Sequence, residues 1–205
     1  MIEREALSEL HQAADTLAGV DAPWCFCGGW AIDLFLDRET RPHKDIDIAI
    51  RRRDQLVFQS HLMARGWQLE IAEKGLHRWA AGHFLQLPAN TIWCWHSEQF
   101  MELLFDEWDD HTFRLRHKQS ISMPAKQAMV TTPSGFRALA PETVMLYKSR
   151  DAKNADYRAD FENAYPNLPE DRRRWLETAM AELHGSHPWL ASNPSSRSHR
   201  NIVEM

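Results

Sequence analysis

Residues 28–50, GGWAIDLFLDRETRPHKDIDIAI, constrain this chain more than any other stretch. Two consecutive glycines open a run with helical spacing, and a loop containing Pro42 leads on into Asp45-Ile46-Asp47-Ile48-Ala49-Ile50. Side chains of a strand alternate between its faces. Ile46, Ile48 and Ile50 therefore share a core face, and Asp45, Asp47 and Ala49 share the other. Two carboxylates one pleat repeat apart repel each other unless a cation lies beside them. Mg²⁺ takes oxygens from one or two carboxylates plus substrate phosphates, so an Asp-x-Asp strand is a reasonable metal platform. Consecutive N–H groups at a turn into a helix form an anion nest, and glycine lets the backbone approach phosphate oxygens closely. Taken apart, the two halves also fit a tight turn and a pair of solvated acids. Together they suit a nucleoside triphosphate held by its phosphates and metal ions.

A two-metal site wants a third carboxylate, and Met101-Glu102-Leu103-Leu104-Phe105-Asp106 offers one. Met101, Leu103 and Phe105 face one way, Glu102 and Asp106 the other. Glu102 is the better candidate, as metal ligand or general base, because Asp106 opens an acidic stretch to Asp110 that reads as a turn. A partly exposed edge strand is the alternative reading of this segment.

The rest of the pattern predicts a helix over residues 2–18, with Ile2, Ala6, Leu10, Ala13 and Leu17 on one stripe. Short strands follow at 24–27, 44–50, 67–72 and 100–105, with further strands within 76–96 and one over 113–116. Helices are expected from Gly28 to about Leu36 and over 54–64. From Pro141 the period is helical, with Pro141-Glu142 as a first turn, a second helix near 154–165, and a third from Pro169-Glu170 to about His184. The expected fold class is α+β: a small mixed-sheet domain with flanking helices over residues 1–122, then a helical bundle over 123–190. A tail over 191–205, rich in Ser, Asn and Arg, reads as mobile.

Composition narrows the partners. The chain has 205 residues, 43% hydrophobic and 26% charged, with a formal charge of −5, which argues against a general nucleic-acid binder. The runs Arg51–Arg53, Arg114–Lys118 and Arg172–Arg174 read as solvated faces or helix ends. Cys25, Cys27 and Cys94 have no framework spacing and read as buried thiols in a reducing, cytoplasmic compartment. Residues 1–10 read as a charged helix rather than a signal peptide, and no apolar run has membrane-spanning length. Trp is abundant, at nine residues. For most of Trp24, Trp67, Trp79, Trp93 and Trp95, core packing is the expected role.

The pattern GGWAID…TRPHKDIDIAI closely resembles the DNA polymerase β-like nucleotidyltransferase superfamily. Within it, the stretch resembles the aminoglycoside 2″-adenylyltransferase and lincosamide nucleotidyltransferase group. FMELLFDE resembles the strand bearing that group's third acid, with Glu102 at the acidic position. GFRALAPETVMLYKSR, ADF and HGSHPWL resemble its helical C-terminal signature. The chain departs from the pattern in three places. Gly29 stands where many members have Ser, the third acid is Glu rather than Asp, and Tyr157 replaces the first Asp of a K-D-x-x-D-F segment.

The resemblance implies transfer of AMP from ATP to a hydroxyl of a small molecule, aminoglycoside-like or unknown, with release of pyrophosphate. It implies two Mg²⁺ ions between Asp45, Asp47 and Glu102, and terminal phosphates on Gly28 and Gly29. Arg41 and Lys148 become candidates for binding nucleotide. Arg41 has a structural alternative in pairing with Asp33, and Lys148 in a solvated helix position. Arg150 is a weaker candidate. Glu107, Asp109 and Asp110 are candidates to line an acidic acceptor cleft, or a solvated turn. Two other functions stay open at this point: a toxin that nucleotidylates tRNA or protein, and a nucleotide-binding module without turnover.

Overall fold

The computed structural model describes residues 2–73 and 75–191, and the expected tail lies almost wholly outside them. The described chain forms two compact units, residues 2–140 and 141–191.

The first unit begins with helix α1 (Arg4–Thr16), which buries Leu10 and Ala13 as its apolar stripe predicts, with Leu17 buried just beyond its end. Strand β1 (Trp24–Phe26) runs into α2 (Gly28–Leu36), and β2 (Asp47–Arg51) follows the Pro42 loop. A short 3-10 turn joins β2 to α3 (Gln55–Met63). Then come β3 (Gln68–Ala72), β4 (Leu76–Arg78), β5 (Thr91–His96) and β6 (Gln99–Trp108). The unit closes with β7 (Thr112–Leu115), β8 (Lys118–Pro124), a one-turn α4 (Ala125–Ala128), β9 (Met129–Thr131) and β10 (Arg137–Leu139).

Among the described residues these strands make one mixed sheet in the order β4-β3-β5-β6-β2-β1-β10-β9, with β7 and β8 attached to the far half of β6. The pairs β2–β6 and β1–β10 are parallel, whereas β1–β2, β3–β5 and β5–β6 are antiparallel. One face carries Leu69, Ile92, Cys94, Met101, Leu103, Phe105, Ile48 and Ile50, all buried. Burying one such aliphatic side chain contributes about 1.5–3 kcal/mol, so this alternation fixes the register firmly.

Residues 123–140 were expected with the helical half. The structure instead places β9 and β10 there, extending the sheet beyond β1. These three-residue strands are too short for any period to show in sequence, and their pairing supplies what their length does not.

The second unit is helical: α5 (Pro141–Lys148), α6 (Ala155–Ala164), α7 (Glu170–His184) and α8 (Pro188–Ala191). Asn154 caps α6 by accepting from the backbone N–H groups of Asp156 and Tyr157, a contact worth about 1 kcal/mol. Leu176, Met180, Phe161 and Tyr165 form its interior. The α+β fold with a helical C-terminal region is therefore the one anticipated. No helix among the described residues is long and apolar enough to cross a membrane.

Three expectations need correction. Trp93 is half-buried and Trp95 is 37% exposed, both on the sheet face opposite the core. Asp106 does not begin a turn: β6 continues to Trp108, and Asp106 is buried beside Arg116. Arg52 is not solvated. It is buried, donates to the carbonyls of Leu85 and Ala89, and pairs with Glu107 at 2.6 Å. The three cysteines are buried free thiols, as expected, and burial pushes each thiol far above its ordinary range.

Candidate active site

The site is assembled where β1 ends, α2 begins and β2 enters the sheet. The Cys27 N–H donates to the Asp47 carbonyl at 2.8 Å, tying the start of α2 to the start of β2. Gly28 has φ +61°, a left-handed conformation that favours glycine, and a Cβ there would overlap the Asp47 carboxylate. A Cβ on Gly29 would overlap the His43 ring and the Arg41 guanidinium. The Gly-Gly pair thus makes room for Asp47 at the start of β2 and for His43 and Arg41 of the loop before it. The residue before α2, Cys27, makes no side-chain capping hydrogen bond, and the first N–H groups of a helix have no partners within the helix.

The loop between α2 and β2 is pinned from beneath by Asp33, whose side chain is fully buried. Its carboxylate accepts from the Thr40 N–H at 3.1 Å and the Thr40 hydroxyl at 2.5 Å, and it lies 2.6 Å from His43 Nε2. His43 is only 3% exposed and packs on Trp30 with ring centroids 4.2 Å apart. Asp33 is thus the structural anchor of the Arg-Pro-His loop, through Thr40 and His43. Arg41 donates to the Pro42 carbonyl at 3.1 Å, and its guanidinium lies close to Gly29.

Asp45 lies just ahead of β2 and Asp47 is its first residue. In the parallel ladder Asp47 is directly opposite Glu102, and the Glu102 N–H donates to the Ile46 carbonyl at 2.9 Å. The three expected acids are therefore brought to one end of adjacent strands. Burial, and then the charges of Asp47 and Asp45, push the Glu102 carboxyl up from 4.5 to about 7, against a hydrogen bond from Trp93 that lowers it.

Sequence reasoning missed Trp93 as a neighbour of Glu102. The signal was the turn at Ser97-Glu98. Pairing His96 with Gln99 puts Trp93 opposite Glu102, but Ser97, at φ +54°, lacks the Asn-Gly chemistry that marks such turns.

Among the described residues no group of three or more His, Cys, Asp or Glu side chains is placed to hold a metal ion by itself. An open pair of carboxylates completed by substrate phosphates is how Mg²⁺ is commonly held. The burial that chiefly raises Glu102, with the added charges of Asp47 and Asp45, fits a site that gains from a cation. A cavity of about 280 Å³ opens beside Asp45, with Glu9, Trp30, Trp67 and Phe100 in its wall.

Lys148, in the second unit, is buried rather than solvated. It pairs with Asp160 at 2.8 Å, with the ring of Tyr157 4.3 Å from its ammonium. The residue that departs from the K-D-x-x-D-F pattern thus covers this lysine with an aromatic face. Glu107, Asp109 and Asp110 are held by Arg52, Arg114, and Arg51 with Arg53, at the opposite end of β6 from Glu102.

Comparison with known proteins bears on the fold. A family model for aminoglycoside-2″-adenylyltransferase matches residues 9–78, the segment from α1 through β4. No curated protein matches in sequence. The solution structure of the antibiotic-resistance factor ANT(2″)-Ia superposes with a TM-score of 0.61 at 15% identity, covering 90% of this chain and 94% of that one. Its crystal structure in complex with adenylyl-2″-tobramycin gives 0.60 at 14% identity, covering 87% and 98%. The lincomycin-bound lincosamide antibiotic adenylyltransferase LnuA gives 0.56 at 15% identity, covering 80% and 96%. The chain has the fold of these adenylyltransferases and resembles the aminoglycoside 2″-adenylyltransferase and lincosamide nucleotidyltransferase group.

Proposed function

We propose that this chain is a metal-dependent nucleotidyltransferase that moves AMP from ATP to a hydroxyl of a small molecule and releases pyrophosphate. The carrying observation is the pairing of Asp47 with Glu102 across β2 and β6, beside a glycine whose missing side chain leaves space for the Asp47 carboxylate. The fold it shares with antibiotic adenylyltransferases supports the reading. Buried free thiols suit a reducing compartment, and we assign the cytoplasm.

Asp45, Asp47 and Glu102 would hold two Mg²⁺ ions. Bound there, the metal lowers the pKa of the acceptor hydroxyl and neutralises charge on the triphosphate. The backbone N–H groups at Gly28 and Gly29 hold the terminal phosphates at the start of α2, with the Arg41 guanidinium beside them. The acceptor oxygen forms a bond to the α-phosphorus. The bond from phosphorus to the bridging oxygen breaks, and pyrophosphate leaves with its electron pair. Glu102 takes the acceptor proton. Such transfer depends on positioning and charge stabilisation more than on covalent work by the protein. Lys148, held by Asp160 in the second unit, we keep as a candidate point charge for the triphosphate.

The test is incubation with labelled ATP, Mg²⁺ and hydroxylated acceptors, beginning with aminoglycosides and lincosamides, with pyrophosphate release as readout. Arms containing tRNA or protein detect a macromolecular acceptor. Nucleotide binding with no transfer in any arm would leave only a binding module.

A further inference from the structure

The sheet carries an ordered row across its open face. Asp47 is opposite Glu102, Glu102 is opposite Trp93, and Trp93 is opposite Glu70. Gly28 adjoins this row at the Asp47 end. One step along the strands a second row pairs Phe100 with Trp95. Phe100 and Trp95 stack with ring centroids 4.1 Å apart, and Trp93 meets them edge-on at 5.7 and 6.1 Å. The three rings make a continuous aromatic surface beginning at the side chain directly opposite Glu102 in the ladder. None of the three is fully buried, and Phe100 also lines the cavity beside Asp45.

The direction of the reaction says what this surface faces. Attacking and leaving oxygens are roughly in line in phosphoryl-type transfer. The leaving pyrophosphate lies toward Gly28, on the β1 side of Asp47. The acceptor must then approach from the other side, across Glu102 and toward β5. Adjacent strands lie about 4.8 Å apart, so the Trp93 position is one strand beyond the general base. We propose that Trp93, Trp95 and Phe100 form the acceptor subsite, and that the acceptor bears its hydroxyl on a ring with a flat apolar face, laid against these side chains. This inference rests on the nucleotidyl-transfer reading for its direction. Glu107, Asp109 and Asp110 are held by arginines at the far end of β6, so the carboxylate that flanks this surface is Glu70, opposite Trp93.

The experiment uses the full chain and a W95A/F100A double variant, with retention of fold checked by circular dichroism. Saturation-transfer NMR, irradiating protein aromatic protons, is run on methyl glucopyranoside, glucosamine, a substituted phenol and the linear polyol sorbitol. The expected result is transfer to ring C–H protons of at least one ring compound, none to sorbitol, and loss of that transfer in the variant. The pyranosides and the phenol distinguish a sugar face from an aromatic one. Binding of a fluorescent ATP analogue stays unchanged in the variant. For an accepted ring compound, KM for the acceptor rises about tenfold while KM for ATP does not move. Equal transfer to sorbitol, no transfer to any ring compound, or transfer that survives in the variant would overturn the proposal. So would loss of ATP-analogue binding, which would make the surface a nucleobase platform. Ring binding that is lost in the variant, without pyrophosphate release in the parent, would overturn the nucleotidyl-transfer reading instead.

Discussion

The two ends of β6 carry carboxylates under opposite electrostatic regimes. At its start Glu102 stands opposite Asp47 and near Asp45, and burial plus those charges raise its carboxyl to about 7. At its far end and in the turn beyond, Asp106, Glu107, Asp109 and Asp110 each meet an arginine. Arg114 and backbone N–H groups hold Asp109 below the usual carboxylate range, and Arg53 with Arg51 does the same for Asp110. Acids in a folded chain are neutralised from within or left to repel. The repelling cluster is where an external cation gains most.

The largest expected effect tests that contrast directly. Asp47→Asn should lower Mg²⁺-dependent pyrophosphate release by about 10³-fold, the several kcal/mol that a metal platform supplies, with the circular dichroism spectrum unchanged. A variant as active as the parent would remove the repelling cluster from the chemistry. At the other end, Arg52→Met leaves Glu107 and the Ala89 carbonyl without their donor, while the Leu85 carbonyl keeps Gln55. It should cost about 3 kcal/mol in urea unfolding, while the Mg²⁺ concentration for half-maximal activity stays where it was.

Gly28→Ala is next. The added methyl overlaps the Asp47 carboxylate in a left-handed conformation. About 1–2 kcal/mol of stability should go with it, and turnover should fall about 100-fold by misplacing one ligand. Glu102 predicts a pH effect on the metal-free protein. Its folded pKa is raised, so between 4.5 and about 7 the folded state binds more protons than the unfolded one. Stability from this group is present at low pH and lost as pH rises through that window. Glu102→Gln should therefore raise Tm more at pH 8 than at pH 5. Saturating Mg²⁺ should remove much of that difference. The smallest effect is Asp110→Asn. This exposed, screened pair should leave Tm and activity within error.

The two ends also differ in how legible they were. Alternation around Ile46–Ile50 and Met101–Phe105 was enough to place Asp47 and Glu102 on the open face, because a buried aliphatic row fixes parity locally. What distinguishes Glu102 from Glu107 was not local. It depends on Arg51, Arg52 and Arg53 arriving from the end of β2, more than fifty residues upstream. Trp93 and Trp95 were misjudged for a related reason. Tryptophan in a strand is usually core, and only the hairpin register shows that these two share a face with Glu102 rather than with Cys94. The strands at 129–131 and 137–139 were invisible because a three-residue segment has no period, and β10 finds its parallel partner more than a hundred residues earlier in β1.

The crowding at Gly29 has a consequence for how this sequence can vary. The nucleotidyltransferase pattern that this stretch resembles often has serine at that position, and one would expect the exchange to be neutral or even helpful. Here the space a serine Cβ needs is taken by His43, which is fixed by Asp33 and Trp30. Arg41 can swing aside; the imidazole cannot without giving up both contacts. Positions 29 and 43 are thus epistatic. A lineage acquiring the serine must first shrink or release the histidine, so homologues should show the two positions changing together rather than one at a time.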